Sequence, residues 1–326
     1  MAKPDFCRSY GIEVPVVLAG MAMIAEPELV AAVSEAGGLG TLGTGGLPQP
    51  VLRQRLAEIR ARTRRPFGVN LIVETTPLGP LSADADLDVI EDERVSPVVF
   101  HWNPPPPAWI RRLRGAGLRV WRTVISEPDA EAALAGGIDG LVVQGAEAGG
   151  HNRSVTSLAA LLPAVARLAR EAHVVAAGGI ADAASARAAF ERGADAVCLG
   201  TRFVACVESP AHAEWKRRIV AAGEGDTAVT KIFGPEWPDA EMRVLRNRAV
   251  ARAERGEAPP PDDKPVGTTL LYGQRYEMPR CSVLLPTRDT EGDLDEMCLA
   301  AGTSAAAITR IESAADIVRE VARAAR

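Results

Sequence analysis

Two hydrophobic patterns alternate along the first two thirds of the chain. Short, nearly continuous apolar runs occupy residues 14–19, 40–42, 67–72, 98–101, 118–123, 139–143, 173–177 and 195–199. Runs of this length, with few polar positions, are those of strands buried on both faces. Between most of them lie stretches with apolar residues at helical spacing. One opens at Pro27, sets Leu29, Val30 and Val33 on one side and stops at Gly37-Gly38. Proline at the first turn and glycine past the last are the expected boundaries. Further helices are predicted at residues 51–62, 84–92, 109–115, 129–135, 157–171 (kinked at Pro163) and 182–192. The proline run 104–107 blocks either element locally.

Eight strand candidates within about 200 residues, mostly separated by helices, imply a parallel sheet. The fold class expected is α/β, a closed (β/α)8 TIM barrel, with an open doubly wound sheet as the alternative. In both, ligands bind at the carboxyl ends of the strands. After about residue 224 the alternation fails. Residues 231–235 read as loop, 239–255 as helix, and 257–264 hold three consecutive prolines and three acids. Residues about 223–300 are therefore expected to form an inserted helical or lid subdomain. Residues 1–222 and about 301–326 form the barrel, to which a last helix, 313–325, returns.

Composition narrows the function classes. A net charge of −5 and 4% aromatic residues give no basis for nucleic-acid binding. No apolar run approaches the roughly 18 residues of a membrane helix. The five cysteines lack any CxxC pair, which fits reduced thiols in a cytoplasmic protein. No His, Cys or carboxylate set has metal-ligand spacing, so no metal is expected. No Gly-x-Ser-x-Gly elbow supports a hydrolase.

Chemistry concentrates where the sixth run ends, in Gln144-Gly145-Ala146-Glu147-Ala148-Gly149-Gly150-His151. Glycines let backbone approach a flat or anionic ligand, and a histidine at a strand end suits proton transfer near neutral pH. Two further strand ends carry glycine: Ala177-Gly178-Gly179-Ile180 and Leu199-Gly200-Thr201-Arg202-Phe203. Gly178 and Gly200 are 22 residues apart, one βα step. Loops after the seventh and eighth barrel strands often form a phosphate site, with backbone N–H groups and a helix start favouring the anion. Thr201 adds a hydroxyl. Such glycines also serve as plain turns and caps, but the pair at this spacing favours phosphate. Without GxGxxG after the first strand or GxxxxGK[ST], that phosphate reads as the tail of FMN rather than a dinucleotide or P-loop nucleotide. Of the other histidines, His101 ends a strand and is a pocket candidate. His173 starts a strand, at the wrong end for a barrel site, and His212 lies among charged residues.

Residues 14–43, 67–73, 98–102 and 140–203, together with Glu208-Ser209-Pro210-Ala211-His212 and Arg243-Val244-Leu245-Arg246-Asn247, resemble the nitronate monooxygenase (2-nitropropane dioxygenase) family. Its superfamily also includes an FMN-dependent enoyl-acyl-carrier-protein reductase and an NAD(P)H:quinone reductase. The resemblance implies a TIM barrel with noncovalent FMN. The ring would lie against Ala19, Gly20, Met21 and Asn70, near Gln144 and Gly149. Ala177, Gly178, Gly179, Gly200 and Thr201 would hold the phosphate end, with Thr123 where some relatives carry lysine. Residues 301–304 would return toward the flavin. His151 would be the catalytic base, and His101, Gly150 and Arg153 substrate-pocket candidates.

Two positions depart from the family pattern. Gly20 stands where proline often precedes the methionine, and Asn152-Arg153 follow the histidine where glycine is usual. Arg153 is expected either to hold an anionic substrate or, preferably, to pair with a surface acid. The implied activity is oxidation of alkyl nitronates, and of nitroalkanes, by O2 to a carbonyl compound and nitrite. The alternative is NAD(P)H-dependent reduction of a quinone or enoyl thioester. Gln144 tilts against it, since the enoyl reductase commonly has glutamate there. A flavin-binding barrel without turnover is a third reading, opposed by the intact His151. A homodimer is compatible with the resemblance.

Overall fold

The computed structural model describes residues 5–234, 236–257 and 264–325. Eight parallel strands make one sheet: β1 (Val16–Leu18), β2 (Gly40–Gly43), β3 (Phe67–Val73), β4 (Val98–Trp102), β5 (Val120–Val124), β6 (Gly140–Gln144), β7 (His173–Ala177) and β8 (Ala196–Leu199). Neighbours run β1-β8-β7-β6-β5-β4-β3-β2. A parallel bridge from Val17 to Leu39 brings the two ends together. It is made by Leu18 N donating to Leu39 O at 2.9 Å and Leu39 N to Val16 O at 2.8 Å. The sheet is thus a barrel rather than an open doubly wound sheet.

Apolar residues point both ways from these strands, which is why their sequences read as continuous runs. Outward residues pack against the surrounding helices, including Leu29 and Val33 of helix Pro27–Glu35 and Ile317 and Val321 of helix Ala314–Ala322. Inward residues fill the barrel, among them Val99, Trp121, Val142 and Val175. Trp121 fits because its register neighbour on β6 is Gly140; a Cβ there would lie 2.6 Å from the indole. Helix Phe6–Tyr10 closes the amino end of the barrel. Tyr10 Oη accepts from Trp121 Nε1 at 2.7 Å, and Phe6 and Tyr10 pack against Trp121 and His173. His173 therefore belongs to the plugged end, and the carboxyl rim is left open for a ligand.

The expected helical insertion is corrected. Its described residues form β9 (Thr227–Thr230), β10 (Met242–Leu245), β11 (Gly267–Leu271), β12 (Gln274–Met278) and the short strand Glu291–Gly292, with one α-helix, Arg248–Glu254. The predicted helix 239–255 divides because Met242–Leu245 gains strand partners on both sides. These are β9 and the two-residue strand Gly150–His151. Helix begins only after Asn247, whose Oδ1 accepts from Val250 N at 3.1 Å. The triple proline of residues 257–264 lies in 258–263, outside the described residues.

The insertion is held by a buried carboxylate. Glu296 accepts from Arg252 at 2.8 and 2.9 Å, Arg248 Nε at 2.9 Å and Arg280 Nη1 at 2.9 Å. The hydrogen bonds from Arg252, with those from Arg248 and Arg280, hold its pKa down to about 2 against the opposing cost of burial. Glu296→Gln should destabilise the fold by about 3 kcal/mol, because the buried charge that Arg248, Arg252 and Arg280 share is removed. The stability contributed by the carboxylate is complete above its unfolded pKa of about 4.3 and lost as pH falls toward 2. Denaturant unfolding at neutral and acid pH should show a parent–variant gap that narrows in acid; a constant gap would contradict this.

Candidate active site

One continuous cavity of about 540 Å³ opens at the carboxyl rim. Every barrel strand borders it, through Ala19, Thr41, Asn70, His101, Thr123, Gln144, Ala177 and Gly200. Gly20, Met21, Gly149, Gly150, His151, Gly178, Gly179 and Thr201 also line it. The closed barrel has converged strand ends that are up to 180 residues apart in sequence, Ala19 and Leu199 being joined by a hydrogen bond of 3.0 Å.

At one end of the cavity the backbone carries unspent donors. The N–H groups of Gly178, Gly179, Gly200 and Thr201 have no protein acceptor among the described residues. Gly178 and Gly179 reach this arrangement at φ 111° and 73°, left-handed values that favour glycine. Thr201 Oγ1 accepts from Gly302 N at 2.9 Å, so its own proton is left for the cavity. In the middle, Asn70 and Gln144 are buried, yet their side-chain amides have no protein partner among the described residues. Buried amides of this kind call for a ligand that presents both donors and acceptors.

The glycine-rich turn after β6 is braced on all sides. Gly145 N donates to Ala177 O at 2.9 Å, and Asn152 Nδ2 donates to Gly145 O at 2.9 Å. The Glu147 carboxylate accepts from Leu158 N at 2.9 Å and caps the next helix. Gly149 permits the crossing of residues 301–302; a Cβ there would sit 2.4 Å from Gly302 N. Gly302 and Ser304 consequently join the cavity wall.

His151 stands inside an aromatic box. Its ring stacks on Trp237 at 4.0 Å and 28°, and meets the edge of Trp102 at 5.8 Å. Trp102 and Trp237 themselves pack at 4.8 Å. The Nε2 atom of His151 is sealed from solvent, with no hydrogen-bond partner among the described residues. Burial, aided by the neighbouring His101, pushes the His151 pKa down to about 3. His101 is pushed to about 4, mainly by burial and partly by Arg153, against a hydrogen bond to the His151 backbone. Both rings border the cavity but are enclosed by protein elsewhere, so the direction follows from desolvation of the cation.

The chain is similar to known proteins along most of its length. The nitronate monooxygenase family matches residues 6–323. The chain belongs to the nitronate monooxygenase family. A nitronate monooxygenase from Pseudomonas aeruginosa is 33% identical over 302 residues, covering 80% of this chain and 84% of the relative. The structure of FabK from Thermotoga maritima superposes with a TM-score of 0.81 at 32% identity, covering 99% of this chain and 96% of that one. A nitroalkane oxidase from Streptomyces ansochromogenes gives 0.75 at 28% identity, over 96% and 97%. As a nitronate monooxygenase family member the protein is an oxidoreductase.

All but one of the sequence-selected residues meet on the cavity. The exception is Arg153, which does not line it and has no acid partner among the described residues. Its guanidinium lies 4.1 Å over the Trp102 ring, and Nη2 donates to Trp102 O at 2.7 Å. Arg153 is exposed, in keeping with the preferred surface reading, but the partner it takes there is an aromatic face rather than an acid. It clasps a residue in an unusual conformation, since Trp102 sits at φ 79°. Glu74 Oε2 completes the clasp by accepting from Trp102 Nε1 at 2.8 Å. Trp237 and the clamp at Glu74 had no local signal in sequence. Among the described residues, no helix is long and apolar enough to cross a membrane.

The depressed histidine values fix a pH dependence. Above about pH 6.5 both histidines are neutral folded or unfolded, and stability is undiminished. Below it the unfolded chain takes up protons that the folded state refuses, so stability falls as pH drops toward 4 and 3. In an NMR titration neither His101 nor His151 should change charge between about pH 5 and 8; a midpoint near 6.5 for either would contradict the enclosed box.

Proposed function

We propose that the protein binds FMN and oxidises alkyl nitronates with O2 to the corresponding carbonyl compound and nitrite. One observation carries this reading: a single cavity runs from the open N–H groups of Gly178, Gly179, Gly200 and Thr201, past the unpaired amides of Asn70 and Gln144, to His151. The parts fit the group proposed. Backbone donors beside the short helix Thr201–Val204 suit a phosphate. The two amides suit the mixed donor–acceptor edge of a flavin ring. Gly20 lies so close to Asn70 that a Cβ would come within 2.2 Å of the asparagine Cβ, so this wall is set for a flat ligand. FMN, when bound, supplies the electron-transfer chemistry toward O2.

The chain's own residues supply position, dryness and one proton acceptor. Trp102 and Trp237 keep water from His151. With Nε2 sealed, exchange of a proton with a substrate in the cavity falls to Nδ1. His151 is neutral at pH 7 and so ready to accept the α-proton of a nitroalkane, but burial resists the imidazolium that would result. The site therefore handles a ready-made nitronate more readily than its neutral parent. Support for the substrate class comes from the Pseudomonas aeruginosa nitronate monooxygenase and the Streptomyces nitroalkane oxidase, related at 33% and 28% identity.

Two substitutions test the assignment. Gly179→Ala strains a residue at φ 73° and presses on Glu147, at 3.3 Å from its Cβ. FMN affinity should fall at least about tenfold, one to two kcal/mol of backbone strain, measured by flavin fluorescence on titration. Unchanged FMN retention would remove the phosphate-end assignment. His151→Ala should cost about a hundredfold in nitrite release from neutral nitroalkanes, the usual worth of a placed base, and less from nitronates. Equal retention on both would remove His151 as base. Turnover of NADH with quinone and no nitrite from any nitronate would assign the reductase chemistry instead.

A further inference from the structure

The cavity does not end at His151. It continues under the insertion, between hairpin β11–β12 and the small barrel hairpin Thr75–Thr76/Gly79–Pro80. Leu78 and Leu81 lie on the barrel side, Tyr272 and Tyr276 on the insertion side, and Val283 and Leu284 behind. None of these six side chains is charged. Glu236, which also lines the cavity, is already committed: it accepts from Ser282 Oγ at 2.6 Å and Val283 N at 3.1 Å.

The roof of this annex carries an aromatic residue where the backbone disfavours one. Tyr272 and Gly273 form the two-residue turn of the hairpin at φ 53° and 80°. Such turns select Asn, Asp or Gly at the first position, and a bulky residue there is strained. Tyr272 nevertheless turns its ring to the cavity mouth, within electrostatic reach of Glu26 and Arg55 on the barrel side. Leu78 lines the same cavity and is 80% exposed. Large apolar groups at an open rim, kept there at conformational cost, mark a binding surface.

We infer that this annex binds the hydrocarbon body of the substrate, whose reactive head lies at His151. The substrate class is then an alkyl nitronate with an extended chain rather than a small nitroalkane. This rests on the proposed nitronate reading for the head group alone; the annex itself is a claim about hydrocarbon binding.

Straight-chain carboxylates from butyrate to dodecanoate test it without turnover. Like nitronates they present a planar, two-oxygen anionic head, and they are inert. Calorimetric titration of the purified holoprotein should give one site per chain, with affinity rising about three- to fourfold per methylene until the annex is filled. Tyr272→Asn keeps a residue suited to the turn and removes the ring; Leu284→Asn places a polar group on the back wall. Each should reduce the octanoate-to-butyrate affinity ratio at least about tenfold, the loss of one to two buried methylenes or more. Affinity independent of chain length in the parent would overturn the inference. So would a rise that both variants leave unchanged. Absence of nitrite from every nitronate, with the chain-length series intact, would reject the head-group reading and keep the annex.

Discussion

Desolvation of His151 is the constraint around which the rim is organised. An imidazole can be kept neutral this far below its ordinary pKa only if protein encloses it, and no single element does so. The turn after β6 places the ring, β4 contributes Trp102, and the insertion contributes Trp237. The pairing of Gly150–His151 with Met242–Arg243 ties the first and third of these together through backbone. The insertion is thus part of the site, and the Glu296 cluster that steadies it sustains the site at a distance.

Much of this was readable in the sequence, for identifiable reasons. The eight strands stand out because barrel strands are apolar on both faces. Glycine at the ends of β6, β7 and β8 signals close backbone approach, and the structure brings Gly149, Gly178, Gly179 and Gly200 to one cavity. What failed to show was decided by tertiary contact. Met242–Leu245 is a four-residue apolar stretch that suits helix or strand alone; its partners at β9 and Gly150–His151 settle it. Arg153 is the exposed charge its sequence suggests, but its aromatic partner, 51 positions earlier, shows only in the fold. Trp237 sits in irregular backbone with no periodicity to mark it. Helix Phe6–Tyr10 spans five residues, too few for a helical repeat to register.

The two ends of the barrel divide the work. Tyr10, Trp121 and His173 make the amino end a packed aromatic floor, so ligand space exists only at the carboxyl rim. There, polar groups without partners cluster at one end of the cavity and apolar surface at the other. That gradient, from backbone donors through amides to His151 and on to the hairpin of Tyr272, suits the proposed pairing of FMN with a long-chain substrate. It also explains why Arg153 was drawn to Trp102: a guanidinium inside this gradient would be buried unpaired, at considerable cost.

The central claim is that a nitronate placed at His151 gives up electrons to FMN held at Gly178–Thr201. Anaerobic mixing of FMN-loaded protein with an alkyl nitronate tests it directly. The account predicts loss of the oxidised flavin's visible absorbance on adding nitronate, slowed by His151→Ala when the neutral nitroalkane is used. An absorbance untouched by nitronate but bleached by NADH would contradict it.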